Sequence, residues 1–127
     1  MLALDRLRGV RVVADPAALD RATWHPAGVT VLRVAPDDAF GLGATSVEVD
    51  DEHAIVEDEP GFVGAWLDRP GIQPHVEWPL PIEGPALAQG SIAGVPAKVW
   101  IPASGDALLL TAAAHAAELI ARFESRE

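Results

Sequence analysis

This sequence has no cysteine and no tyrosine, a single methionine and a single lysine, Lys98. Without cysteine there are no disulfides, no thiol nucleophiles and no thiolate metal sites, which fits a reducing compartment. No apolar run reaches the ~18 residues that a membrane-crossing helix needs. The start, Met1-Leu2-Ala3-Leu4-Asp5-Arg6, lacks the long apolar core of a secretory signal, so the expectation is a cytoplasmic protein. Basic residues are scarce as well. Nine of them stand against nineteen acidic ones, and the net charge is −10. A surface of that sign does not neutralise phosphates, so neither nucleic acid nor anionic membrane is expected as a partner.

The signatures of chemistry are missing too. Asp50-Asp51-Glu52 and Glu57-Asp58-Glu59 are rich in carboxylate, but they lack the D-x-D-x-D-G alternation and glycine turn of a calcium loop. They read as a solvated rim or a partner-facing patch. His25, His53, His75 and His115 are spread without H-x-x-x-H or H-E-x-x-H spacing, so no zinc site is assigned. None of Ser46, Ser91, Ser104 and Ser125 sits in a G-x-S-x-G elbow. Gly41-Leu42-Gly43 lacks the third glycine and the following helix of a dinucleotide loop. No catalytic residue, metal ligand or cofactor is therefore expected, and the chain reads as a non-catalytic protein more readily than as an enzyme.

What is present is apolar material, half of the 127 residues. A chain of this length fits one domain, 1–127, that buries roughly two thirds of its unfolded surface. Its most continuous signals lie between Pro85 and Phe123. Residues 87–93 alternate with a period near two and connect through Ala93-Gly94 to the β-branched and aromatic run Val95–Ile101, which predicts a hairpin with Lys98 facing solvent. Ser104-Gly105-Asp106 is a turn, and Ala107–Leu110 reads as a strand buried on both faces. Thr111 is the expected cap of a helix from Ala112 to about Glu124, whose stripe of Ala112, Ala116, Leu119, Ile120 and Phe123 should rest on the sheet.

Earlier in the chain, residues 7–13 read as an edge strand, and Asp15-Pro16 opens a helix running to Trp24 at most. Val29–Val34, the turn at Pro36-Asp37 and Ala39–Leu42 form a hairpin. A further hairpin is expected from 53–56 and 62–67 around Glu59-Pro60-Gly61. Asp68 to Pro85, with five prolines, reads as an extended segment laid across the domain. The fold class is α+β, an antiparallel sheet of hairpins with a C-terminal amphipathic helix and a short N-terminal helix packed on it.

Four tryptophans without tyrosine give the best hint of a surface. Trp66 and Trp100, in strands, are expected in the core. Trp24 and Trp78, in loops beside His25-Pro26 and Pro79, are candidates for contact with a partner or a flat ligand. Packing of the proline segment accounts equally well for Trp78. The candidate contact residues are Trp24, His25, His75 and Trp78.

Two stretches resemble a known group. Arg33-Val34-Ala35-Pro36-Asp37-Asp38-Ala39-Phe40-Gly41-Leu42 is similar to the strand, Pro-Asp turn and strand of the gamma subunit of heterotetrameric sarcosine oxidase and of folate-binding aminomethyltransferase-like proteins. Lys98 to Leu110 with the following helix is similar to the strand, Gly-Asp turn, strand and helix of the same group. The resemblance implies hairpins with helices on one face, and an accessory chain packed against subunits that carry flavin and folate chemistry. It points to no folate-clamping carboxylate at any position of this chain. Two functions follow as expectations: an accessory domain that binds a protein partner or oligomerises, and a small-molecule (folate- or flavin-like) binding protein or enzyme with a pocket near the proline segment.

Overall fold

The computed structural model describes residues 2–125. The chain is mostly antiparallel β-sheet with a few short helices, one of them C-terminal. The strands are β1 (Asp5–Arg6), β2 (Gly9–Val13), β3 (Thr23–His25), β4 (Thr30–Ala35), β5 (Asp38–Leu42), β6 (Ser46–Glu48), β7 (Ile55–Asp58), β8 (Phe62–Leu67), β9 (Ala86–Ile92), β10 (Val95–Ile101) and β11 (Ala107–Ala112). The α-helices are α1 (Pro16–Asp20), α2 (Arg69–Ile72) and α3 (Ala116–Glu124). Contacts gather these elements into two compact units, residues 7–60 and residues 2–6 with 61–125.

The unit of 2–6 and 61–125 holds a five-stranded sheet in the order β1-β8-β11-β10-β9. The β9–β10 hairpin forms where the sequence predicts it. Ala93 (φ 51°) and Gly94 (φ 81°) make the turn, and two consecutive positive φ angles give the tight turn whose twist matches that of its strands. Alanine is disfavoured in that region. Its buried amide is held by the carbonyl of His75 at 2.8 Å. Along β10, Val95, Ala97, Val99 and Ile101 are buried, and Pro96, Lys98 and Trp100 point the other way. Lys98 is half-buried there, not open to solvent. Strand β11, central in the sheet, is buried from Ala107 through Thr111 on both faces, as its apolar run predicts.

Thr111 does not cap a helix. Its hydroxyl donates to the Pro96 carbonyl at 2.8 Å and the residue stays in β11. A 3-10 turn at Ala113–His115 follows, and α3 begins only at Ala116. The ladder with β8 wins over local capping because it extends to Ala112, opposite Phe62. Leu119 and Phe123 of α3 enter the core formed with Val99, Ile101 and Leu109; burying a leucine fully is worth about 1.5–3 kcal/mol. Ala112 is exposed and outside that stripe.

Residues 69–75 are helical where the proline count predicts extended chain. Asp68 caps α2, its carboxylate accepting from the Gly71 amide at 3.2 Å. Pro70 falls in the first turn, where its missing N–H breaks no bond. A 3-10 turn at Gln73–His75 continues the coil and buries Ile72, His75 and Val76 in the core. Beyond it the chain is irregular and tied by side chains. Gln73 donates to the Trp78 carbonyl and accepts from the Leu80 amide, while Arg69 donates to the carbonyls of Ile82 and Pro102.

The unit of 7–60 holds a four-stranded sheet, β4-β5-β2-β7, and a two-stranded sheet, β3-β6. Strand β2 lies inside the larger sheet, between β5 and β7, and is not an edge. Helix α1 opens at Pro16 as predicted, although Asp15 makes no side-chain cap bond, and it ends at Asp20. Thr23–His25 is strand, its β-branched and aromatic residues pairing with Ser46–Glu48. Leu19 of α1 packs with Val10, Val12 and Ala39. Helices α1 and α3 thus pack with different sheets.

The expected hairpin around Glu59-Pro60-Gly61 does not exist. β7 pairs with β2, and β8 pairs with β11 and β1 in the other sheet. Pro-Gly breaks both ladders here and passes the chain from one unit to the next.

Candidate functional site

The structure separates the four candidate contact residues into two pairs. Trp24 lies in β3, half-buried against the core of the 7–60 unit, and not in an open loop. Its ring covers Gly41, where an added Cβ would lie only 2.4 Å from the indole. That contact explains the glycine at 41 without any phosphate, and Gly43 (φ +83°) supplies the turn after β5. His25 is exposed and pairs with Glu48 across the β3–β6 ladder at 3.2 Å. Both residues therefore serve a local strand pair.

His75 and Trp78 do come together, at the tip of the β9–β10 hairpin. They line a pocket of about 170 Å³ with Glu77, Ser91, Ala93 and Gly94. The His75 ring is 5% exposed and stacks on Phe123. The Trp78 indole donates to the Ser91 carbonyl at 3.3 Å and lies over Gly90. Ordinary ligand pockets run to roughly 300–1,000 Å³, so a folate or a flavin would have to lie mostly outside this one. A larger groove of about 440 Å³ runs past Arg69, Gln73, Leu80 and Ile82. Its two polar side chains are the ones already committed to backbone groups of the proline segment. Neither hollow is lined by a carboxylate pair, and the smaller one brings His75, Glu77 and Ser91 to a common wall. Among the described residues no three histidine or acidic side chains converge as metal ligands, and no helix is long and apolar enough to cross a membrane.

Two tryptophans expected in the core are elsewhere. Trp66 is 49% exposed and Trp100 half-buried. Both oppose Leu108, from either side, on the face of the five-stranded sheet opposite to that of Leu109 and Val99. Strand alternation gave that face away, since Trp100 has the parity of Lys98.

Sequence reasoning read 53–56 as one arm of a hairpin and the acids around it as a rim or partner-facing patch, but it did not place β7 at a sheet edge. This strand is the terminal strand of its sheet, paired with β2 alone, and all four of its residues are exposed. Ile55 and Val56 are 55% and 47% exposed. The Glu59 amide bonds the carbonyl of Gly9, its opposite number, at 2.9 Å. In an antiparallel ladder, directly bonded pairs alternate with unbonded ones. Counting back from Glu59, Glu57 and Ile55 bond toward β2, and the amides and carbonyls of Val56 and Asp58 point outward. The charge along this part of the chain is negative. Six carboxylates occur in residues 50–59 with no lysine or arginine among them. Arg11, opposite Glu57, is held by Asp38 through two bonds of 2.9 and 2.6 Å and lies 3.6 Å from Glu59. The hydrogen bond to Asp38 raises the Arg11 pKa further above its ordinary value. Asp51 accepts the amides of Asp15 and His53, which hold its carboxyl below the usual range. The signal available beforehand was Ile55-Val56 followed at once by three acids, a pattern that fits no buried strand.

Comparison with family models, with curated proteins and with solved structures returns no match.

Proposed function

We propose that this chain is an α+β accessory module that works by associating with a protein partner, and that β7 is where the partner joins. The observation that carries the reading is an unpaired sheet edge whose two apolar side chains, Ile55 and Val56, are both about half exposed. Edge strands present a row of free amides and carbonyls, and extended segments add to them by main-chain bonding. The likeness to the sarcosine oxidase gamma subunit extends the proposal to a larger oxidoreductase or one-carbon enzyme as the assembly. The two stretches that carry that likeness are the β4–β5 hairpin and the β10–β11 hairpin with α3.

Co-expression with the products of adjoining genes, followed by gel filtration and light scattering, tests the reading. A complex of fixed stoichiometry that is lost in Val56→Pro supports it. A chain that stays monomeric beside every neighbour rejects it.

The second reading, a small-ligand protein, rests on the pocket shared by His75 and Trp78. Saturable quenching of tryptophan emission by a folate, flavin or nucleotide, absent in Trp78→Phe, would favour it over the first.

A further inference from the structure

We infer that the segment accepted by β7 is a positively charged extended strand from a different protein, and not a second copy of this chain. The inference rests on the reading of β7 as the docking edge and adds the chemistry of its occupant. An incoming strand bonds the outward amides and carbonyls of Val56 and Asp58, so its own side chains alternate above and below the edge. On one side they meet Val56 and Asp58, and on the other Ile55 and Glu57. Each side therefore offers one apolar and one acidic contact.

No side chain among the described residues makes a salt bridge to Glu57 or Asp58. Arg11, opposite Glu57 and attracted by it, is held by Asp38 and Glu59, and His53 is 3.4 Å from Glu52. Arg11 is shared among three carboxylates, so a cation from outside finds Glu57 and Asp58 still without a salt bridge. An isologous pairing of β7 with β7 brings Glu57 and Asp58 of two copies onto one short ladder, with −10 on each chain. Like charges facing each other across a ladder are destabilising. The same carboxylates that repel a copy attract a lysine- or arginine-bearing strand, and they speed its encounter.

The test uses the full chain, isotope-labelled for amide spectra, and three eight-residue peptides that repeat Val-Val-X-X with X lysine, serine or glutamate, so that each face of the strand carries both kinds of side chain. The lysine peptide is expected to shift the amide signals of Val56 and Asp58 saturably, at least tenfold more tightly than the glutamate peptide. Its affinity should fall about tenfold between ~0.03 and ~0.3 M salt, as screening shortens the reach of the charges. Val56→Pro, whose lost amide bonds nothing in β2, should abolish the shifts while the rest of the spectrum persists. Serine and lysine peptides binding β7 equally well would overturn the charge selection and leave the edge reading standing. A dimer in light scattering whose interface maps to residues 55–58 would overturn the foreign partner and also leave that edge. Silence of residues 55–58 toward all three peptides, or binding indifferent to Val56→Pro, would overturn both.

Discussion

The His75 ring lies flat on the Phe123 ring, with centroids 3.5 Å apart and planes 18° from parallel. This stack fastens α3 to the 3-10 turn at Gln73–His75, two elements far apart in the chain. Phe123 is 5% exposed. Phe123→Ala should cost about 3 kcal/mol, at the low end for a buried phenylalanine because a helix end can relax into the gap. Urea denaturation at neutral pH measures it. A loss below about 1 kcal/mol would mean that α3 contributes little to the core.

Adjacent residues of β7 should respond to proline in opposite ways. Val56→Pro leaves the ladder with β2 intact, because that amide points away, and edge strands accept proline there. Glu57→Pro removes a bond to Arg11 and should cost about 1–3 kcal/mol. Equal losses at both positions would show that the alternation has been counted from the wrong residue.

Gly41 is the floor under Trp24, so a methyl group there has no room. Gly41→Ala should displace the indole, redden tryptophan emission and destabilise the fold by about 1–3 kcal/mol, the usual cost of overpacking. Gly43→Ala meets no neighbour within 4 Å and is opposed only by its φ of +83°. It should leave the emission unchanged.

Acid should weaken the 7–60 unit partly through Asp51. The Asp15 and His53 amides favour the ionised carboxyl and lower its folded pKa. A group with a lowered folded pKa stabilises the fold above its unfolded value, near ~3.9, and that contribution fades as pH falls through the folded value. Asp51→Asn keeps an acceptor but does not titrate. Its loss of stability relative to the parent should therefore shrink between pH ~6 and pH ~2.5, as read from thermal melts.

The outline of the C-terminal third was legible because neighbouring signals agreed. The alternation of 87–93, the turn at Ala93-Gly94, the β-branched run Val95–Ile101 and a stripe containing Leu119 and Phe123 describe one packing, whereas the cap at Thr111 and the place of Ala112 in the stripe lost to the ladder with β8. Glu59-Pro60-Gly61 was misleading because a strand break looks the same whether the chain folds back or moves to another sheet. Trp66 and Trp100 misled for another reason: hydrophobicity says that a side chain prefers burial, but parity along the strand decides which face receives it. The proline segment hid a helical turn because prolines at its first positions are compatible with helix. As for the candidate site, His75 and Trp78 were found as neighbours in sequence, whereas the edge of β7 depends on which strands pair, a long-range property that no local window contains.

One pair of rungs bears on how the chain assembles. In the 7–60 unit Gly9 bonds Glu59, and in the other unit Arg6 stands opposite Val63. Residues 7–60 are, for the five-stranded sheet, one long closed loop. Bringing β1 to β8 across so many free residues would carry a large loop-closure entropy. Once β2 has paired with β7, only residues 7, 8 and 60–62 separate the rung at Gly9 and Glu59 from the one at Arg6 and Val63. Collapse of the inserted segment thereby lowers the entropic barrier for the sheet that surrounds it in sequence, so slowing the first should slow the second.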